Sequence, residues 1–120
     1  MRRFASTLVI TLLAVAMPTR GEALTLSEWE QTGQAVREGY VLAIMEYMGT
    51  FVDSDDQSSI DSAIAYQKCF HENKFNSTSA AKLVGRYILM NPKASTVPML
   101  VNVVSALGEA CSGYFPKGKN

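Results

Sequence analysis

The chain has 120 residues, with 11 Lys and Arg balanced by 11 Asp and Glu and a formal net charge of zero, so no basic excess draws it to nucleic acid or to an anionic membrane. The length fits a single domain. Two cysteines and one histidine lack the repeated short spacings of a metal site and offer little for nucleophilic catalysis.

The amino terminus carries the parts of a secretory signal in order. Arg2 and Arg3 form the charged region, Leu8 to Ala16 the apolar core, and Pro18 precedes the small-x-small site Gly21-Glu22-Ala23. The apolar run is about half the ~20 residues that a membrane span needs. Cleavage after Ala23 is expected, leaving residues 24–120 as a single helical domain outside the cytoplasm, with a loose tail from about 112. Without Arg2, Arg3, Arg20 and Glu22, the net charge of this domain is about −2.

The first helix of the exported part is marked by Thr25 and Glu28, spaced as a capping box, with Leu24 and Trp29 spaced as a hydrophobic staple. From there Trp29, Val36, Tyr40, Ala43, Ile44, Tyr47 and Phe51 recur at helical steps, which predicts one apolar face. Gly33 and Gly39 inside this pattern suggest close approach of a neighbouring helix, and Gly49 either the same or a stop. Tyr40, Met45, Tyr47, Met48 and Phe51 form an aromatic and methionine cluster. Met45 and Met48 do not fit the inward face, and exposed surface there would mark a protein partner or self-association into a homodimer.

Asp53-Ser54-Asp55-Asp56-Gln57-Ser58-Ser59 is polar and aperiodic, hence a loop. An EF-hand would need Gly and Glu where Ser58 and Ile64 stand, so no metal site is assigned. Asp53, Asp55 and Asp56 are the candidate partner-binding residues, because exposed loops carry function and acidic charge steers a basic partner. A short helix is predicted from near Ser59 to Phe70, followed by a polar connection from His71 to Lys74. A second strong helix is predicted from Ser77 or Thr78 to Asn91, with Ala80, Leu83, Val84, Tyr87 and Ile88 inward and Pro92 ending it. A third is predicted with Ser95 or Thr96 as cap and Pro98 in its first turn. Its expected inward face is Val97, Leu100, Val101, Val104, Leu107, Gly108 and Cys111.

Cys69 precedes the second of these strong helices and Cys111 ends the third. An antiparallel helix pair brings those two points together, and export favours oxidation, so a Cys69–Cys111 disulfide is predicted. The fold class is therefore all-α: a small bundle of three main helices and a short one, stapled by one disulfide, with the first helix laid across the other pair. No catalytic constellation or cofactor motif stands out, and binding is the expected activity.

The run from residue 40 to 111 resembles the Rap/Tai immunity-protein family of Gram-negative bacteria. Tyr47-Met48-Gly49, Tyr87-Ile88 with Pro92, and Ala106-Leu107 with Cys111 carry the resemblance through their order and spacing. Many members have a cysteine where Ile44 stands here. The resemblance implies a periplasmic helical protein, not an enzyme, that binds and blocks a peptidoglycan amidase delivered by type VI secretion. Two other classes share the small, exported, disulfide-stapled helical layout: acid-stress chaperones of the HdeA type, and accessory envelope proteins without a toxin partner.

Overall fold

The computed structural model describes residues 24–116; the predicted signal and its cleavage site lie outside them. Among the described residues helices are the only regular elements, and the fold is all-α. Five α-helices follow in order: α1 (Leu26–Gln31), α2 (Gln34–Thr50), α3 (Gln57–Glu72), α4 (Ser77–Met90) and α5 (Met99–Ala110). Short 3-10 turns at Pro92–Thr96 and Ser112–Tyr114 flank α5.

The predicted first helix is two helices. The capping box forms, with the Glu28 N–H donating to Thr25 Oγ1 and the Thr25 N–H to Glu28 Oε1, both at 3.1 Å. The helix then stops at Thr32, whose hydroxyl donates to the Trp29 carbonyl at 2.7 Å, and α2 restarts after Gly33. Arg37 holds the corner: its Nε donates to the Trp29 carbonyl at 3.0 Å and its Nη2 to the Glu30 carbonyl at 2.8 Å. Both carbonyls lie at the end of α1, where helix carbonyls run short of intrahelical donors, and the Trp29 carbonyl also accepts the Thr32 N–H at 3.1 Å. The guanidinium carbon lies 5.7 Å from the centre of the Trp29 ring, within cation–π range.

The break resets the helical phase. Trp29 is buried from α1, while α2 buries Val41, Ile44, Met45 and Gly49. Of the predicted face, Val36, Tyr47 and Phe51 are each 60 % exposed. Of the two methionines, Met45 lies in the core and Met48 is only partly buried against it.

Helix α3 is longer than predicted, 16 residues from Gln57 to Glu72, so His71 and Glu72 belong to its last turn and not to a connection. It buries mainly small residues, Ala63, Ala65 and Cys69, so it presses close to its neighbours. A methyl group on Gly49 would lie 3.3 Å from Gln67 Cγ, and one on Gly108 would lie 3.4 Å from the Tyr66 hydroxyl. Gly49 is thus the close-approach glycine. Gly33 is the break, and nothing lies near Gly39, for which the structure offers no packing reason. Lys74, at φ 52°, turns the chain into α4.

Helix α4 matches its predicted bounds, capped by Asn76 and ended by Pro92. Helix α5 begins later than predicted. Val97 precedes a proline and is extended, so the helix starts at Met99 with Pro98 as its cap. The Thr96 hydroxyl, expected to cap α5, instead donates to the Lys93 carbonyl at 2.6 Å within the 3-10 turn. The buried stripe of α5 is Met99, Asn102, Val103, Ala106 and Leu107, a clean i, i+3, i+4, i+7, i+8 pattern. Leu100, Val101 and Val104 were expected inside and are exposed.

The core joins Val41 of α2, Val84 of α4, and Met99, Val103 and Leu107 of α5, all fully buried. Helix α2 touches α3, α4 and α5, the crossing expected from the sequence. The disulfide closes between Cys69 at the end of α3 and Cys111 just past α5, with a Cα–Cα distance of 5.6 Å. Two side-chain contacts lie just beyond Cys111. The Asn73 side-chain N–H donates to the Tyr114 hydroxyl at 3.1 Å, and Phe115 packs edge-on to Tyr66 at 5.0 Å.

Candidate functional site

Two features combine to open a groove. Helices α3 and α5 both end at the disulfide, where the turn Ser112–Tyr114 touches both. Away from that pin the groove lies between their amino-terminal halves, with the carboxy-terminal half of α2 as its floor. The wedge has a volume of about 560 Å³. Ile44, Tyr47 and Phe51 rise from α2, Ala63 and Tyr66 from α3, Leu100 and Val104 from α5. The only polar side chains in the walls besides the tyrosines are Ser59 and Ser62.

The walls are held in place by packing. Tyr47 and Phe51, one turn apart on α2, stack with ring centres 4.8 Å apart and planes 15° from parallel. Tyr66 lies between Phe70, 5.8 Å away, and Phe115. Partial burial raises the Tyr66 phenol above its ordinary pKa. Yet Tyr47 and Phe51 are 60 % exposed and Leu100 is 51 % exposed. Scattered apolar residues on a surface need no explanation, but contiguous ones around a concave site do.

The predicted contact residues do not line this wedge; they lie in the loop that joins two of its lining residues, Phe51 and Ser59. Asp53, Asp55 and Asp56 follow Phe51 and lead into α3, and all three are exposed. The Asp53 N–H donates at 3.0 Å to the hydroxyl of Ser59, itself a wall residue. Asp53 Oδ1 accepts the Asp55 N–H at 3.0 Å. Asp56 caps α3: its Oδ1 accepts from the Ser58 hydroxyl at 2.7 Å and the Ser58 N–H at 3.0 Å. These hydrogen bonds, the Ser58 hydroxyl first, hold the Asp56 carboxyl below the usual carboxylate range. Two of the three aspartates thus shape the loop, and all three place negative charge beside an apolar groove.

The sequence reading missed Leu100, Val104 and Tyr66. One signal could have found them: α5 is apolar around most of its circumference, and a helix with two apolar faces has a second one to cover. Asn102 interrupts the apolar run of the buried stripe. In the fold its amide donates to the Ala94 carbonyl at 2.9 Å, so that face turns inward and Leu100 and Val104 turn out.

A second cleft of about 440 Å³ lies between α4 and α5, lined by Leu83, Arg86, Tyr87, Asn91 and Glu109 among others. It is shallower in apolar surface and holds no nucleophile. No cluster of three His, Cys, Asp or Glu able to hold a metal occurs among the described residues. Every buried side-chain nitrogen and oxygen among them has a hydrogen-bond partner, so no polar group is left aimed at a small ligand. No family model, curated protein or solved structure matches the chain.

Proposed function

We propose that this chain is an exported, periplasmic inhibitor of the Rap/Tai immunity type, which binds a secreted peptidoglycan amidase and holds it inactive without being an enzyme itself. The observation that carries this reading is the wedge between α2, α3 and α5, an exposed apolar surface rimmed by acid at one end. A surface of that kind costs solubility unless a partner covers it. The amino-terminal signal pattern and the spaced motifs from Tyr47 to Cys111 add the family resemblance and the compartment. In this reading Asp53, Asp55 and Asp56 steer a basic partner toward the groove, and the aromatic pair Tyr47–Phe51 makes the anchoring contact.

The test is peptidoglycan hydrolysis by type VI amidases of the source organism, measured with increasing amounts of the purified chain. One amidase inhibited to completion at equimolar chain is the expected result. Full hydrolysis by every such amidase in the presence of excess chain contradicts the reading.

A further inference from the structure

The groove's charge environment is one-sided. No Lys, Arg or His occurs between Glu38 and Gln67 or between Met99 and Ala110, the stretches that supply all three walls. Those stretches carry Glu46, Asp53, Asp55, Asp56 and Asp61, all exposed. The basic residues of the described chain lie outside the groove lining, with Arg37 in the first turn of α2, Lys68 and His71 in the last turns of α3, and Lys82 and Arg86 on α4. The groove therefore presents apolar anchoring sites under a negative field with no neutralising cation in its walls.

The walls also restrict the backbone of whatever enters. They are helices whose peptide groups are bonded internally, and no strand edge occurs among the described residues. A segment buried here finds no main-chain partner and must satisfy its own N–H and C=O groups. An α-helix does so, and it presents apolar side chains at i, i+3, i+4 and i+7 to a groove of this kind.

We infer that the wedge between α2, α3 and α5 is the docking site for an amphipathic helix of the partner protein, with an apolar face on Tyr47, Phe51, Leu100 and Val104 and a cationic end at Asp53–Asp56. This rests on the protein-binding reading above and specifies the chemistry of the partner's contact segment. Leu100 and Val104 supply one wall, Tyr47 and Phe51 the floor, and the acidic loop fixes the helix's direction. A helix with an anionic end is rejected by the same field.

Two synthetic helical peptides test this against the purified chain, expressed from Met1 in an exporting host. They share a Leu/Phe face at i, i+3, i+4 and i+7 and differ at one end, three Lys in one and three Glu in the other. Fluorescence anisotropy is expected to show the Lys-ended peptide binding at least ~10-fold more tightly at low salt, with the preference shrinking several-fold in about 0.5 M salt. Leu100→Asp is expected to weaken binding ~10-fold or more, because an unpaired carboxylate would be buried under the helix. Leu89→Asp, at an 86 % exposed position outside the groove, is expected to leave binding unchanged. The pair Asp53→Asn and Asp55→Asn removes most of the preference and keeps the Asp56 cap.

Equal affinity for the two peptides, or no binding of either by a chain with intact helicity, overturns the inference. So does a dimer of the wild type that Leu100→Asp dissociates, since a second copy then covers the groove. Inhibition of an amidase that survives Leu100→Asp overturns the groove assignment and leaves the inhibitor reading standing. Charge-selective peptide binding without inhibition of any amidase does the reverse.

Discussion

Asp56 joins loop to helix. Its carboxylate accepts both the hydroxyl and the N–H of Ser58, and this holds its pKa below the usual range. A carboxyl lowered in the folded state adds stability above its unfolded pKa, which is lost as the pH falls through the folded value. The wild type is therefore expected to lose melting temperature as the pH drops below about 4. Asp56→Asn caps without titrating, so it is expected to flatten that part of the Tm–pH curve; an unchanged slope would contradict the cap. Asn102 is the other residue that decides local geometry. Among the described residues it is the single buried polar one, and its amide donates to the Ala94 carbonyl. Asn102→Ala leaves that carbonyl unpaired and is expected to destabilise by about 1–3 kcal/mol, read by urea denaturation. The capping signals at Thr25 and Glu28 were legible because both partners are close in sequence. Asn102 was not legible, because its partner is fixed only once the 3-10 turn has formed.

At the scale of elements, the break between α1 and α2 determines which side of α2 meets solvent. Arg37 satisfies two carbonyls at the end of α1 and covers the Trp29 ring. A second tie runs from the Met99 N–H to the Leu24 carbonyl at 2.8 Å. Arg37→Ala is expected to loosen α1, moving Trp29, now 4 % exposed, toward water. The fluorescence emission of this single tryptophan should shift to longer wavelength and hydrogen exchange over residues 24–31 should quicken. An unchanged spectrum would place the hold on α1 elsewhere. The sequence pattern read through Trp29 to Phe51 as one helix because the spacing across Gly33 mimics a continuous face. The corner depends on Arg37, eight residues from the carbonyl it binds, and spacing alone does not reveal it. Helix α4 was legible nearly to the residue: its apolar stripe is single-sided and Pro92 stops it. Helix α5 was legible as a helix but not in orientation, because it carries apolar side chains on two faces.

At the scale of the molecule, the disulfide both holds the fold closed and shapes the groove. Cys69 and Cys111 are fully buried and 42 residues apart in sequence. Closing a loop of that length contributes about 4 kcal/mol in the chain-entropy treatment, a large part of the ~5–15 kcal/mol typical of a domain. Cys69→Ala with Cys111→Ala is expected to lower stability by about that amount and to let α3 swing relative to α5. A double variant that unfolds at the same urea concentration as the wild type would contradict this role. The pairing was legible because the antiparallel helices place both cysteines at one end. The groove was not legible, since its lining comes from α2, α3 and α5 together, a consequence of three helices packing at once. The acidic loop was found from the sequence, but its place between two lining residues of the groove, Phe51 and Ser59, was not.

The most direct measurement is inhibition of an amidase of the source organism by three forms of the chain: wild type, Leu100→Asp in the groove and Leu89→Asp outside it. The account predicts that the wild type and Leu89→Asp inhibit equally and that Leu100→Asp loses inhibition at matched helicity. Equal inhibition by all three, or loss only in Leu89→Asp, would show that the wedge between α2, α3 and α5 is not the contact surface.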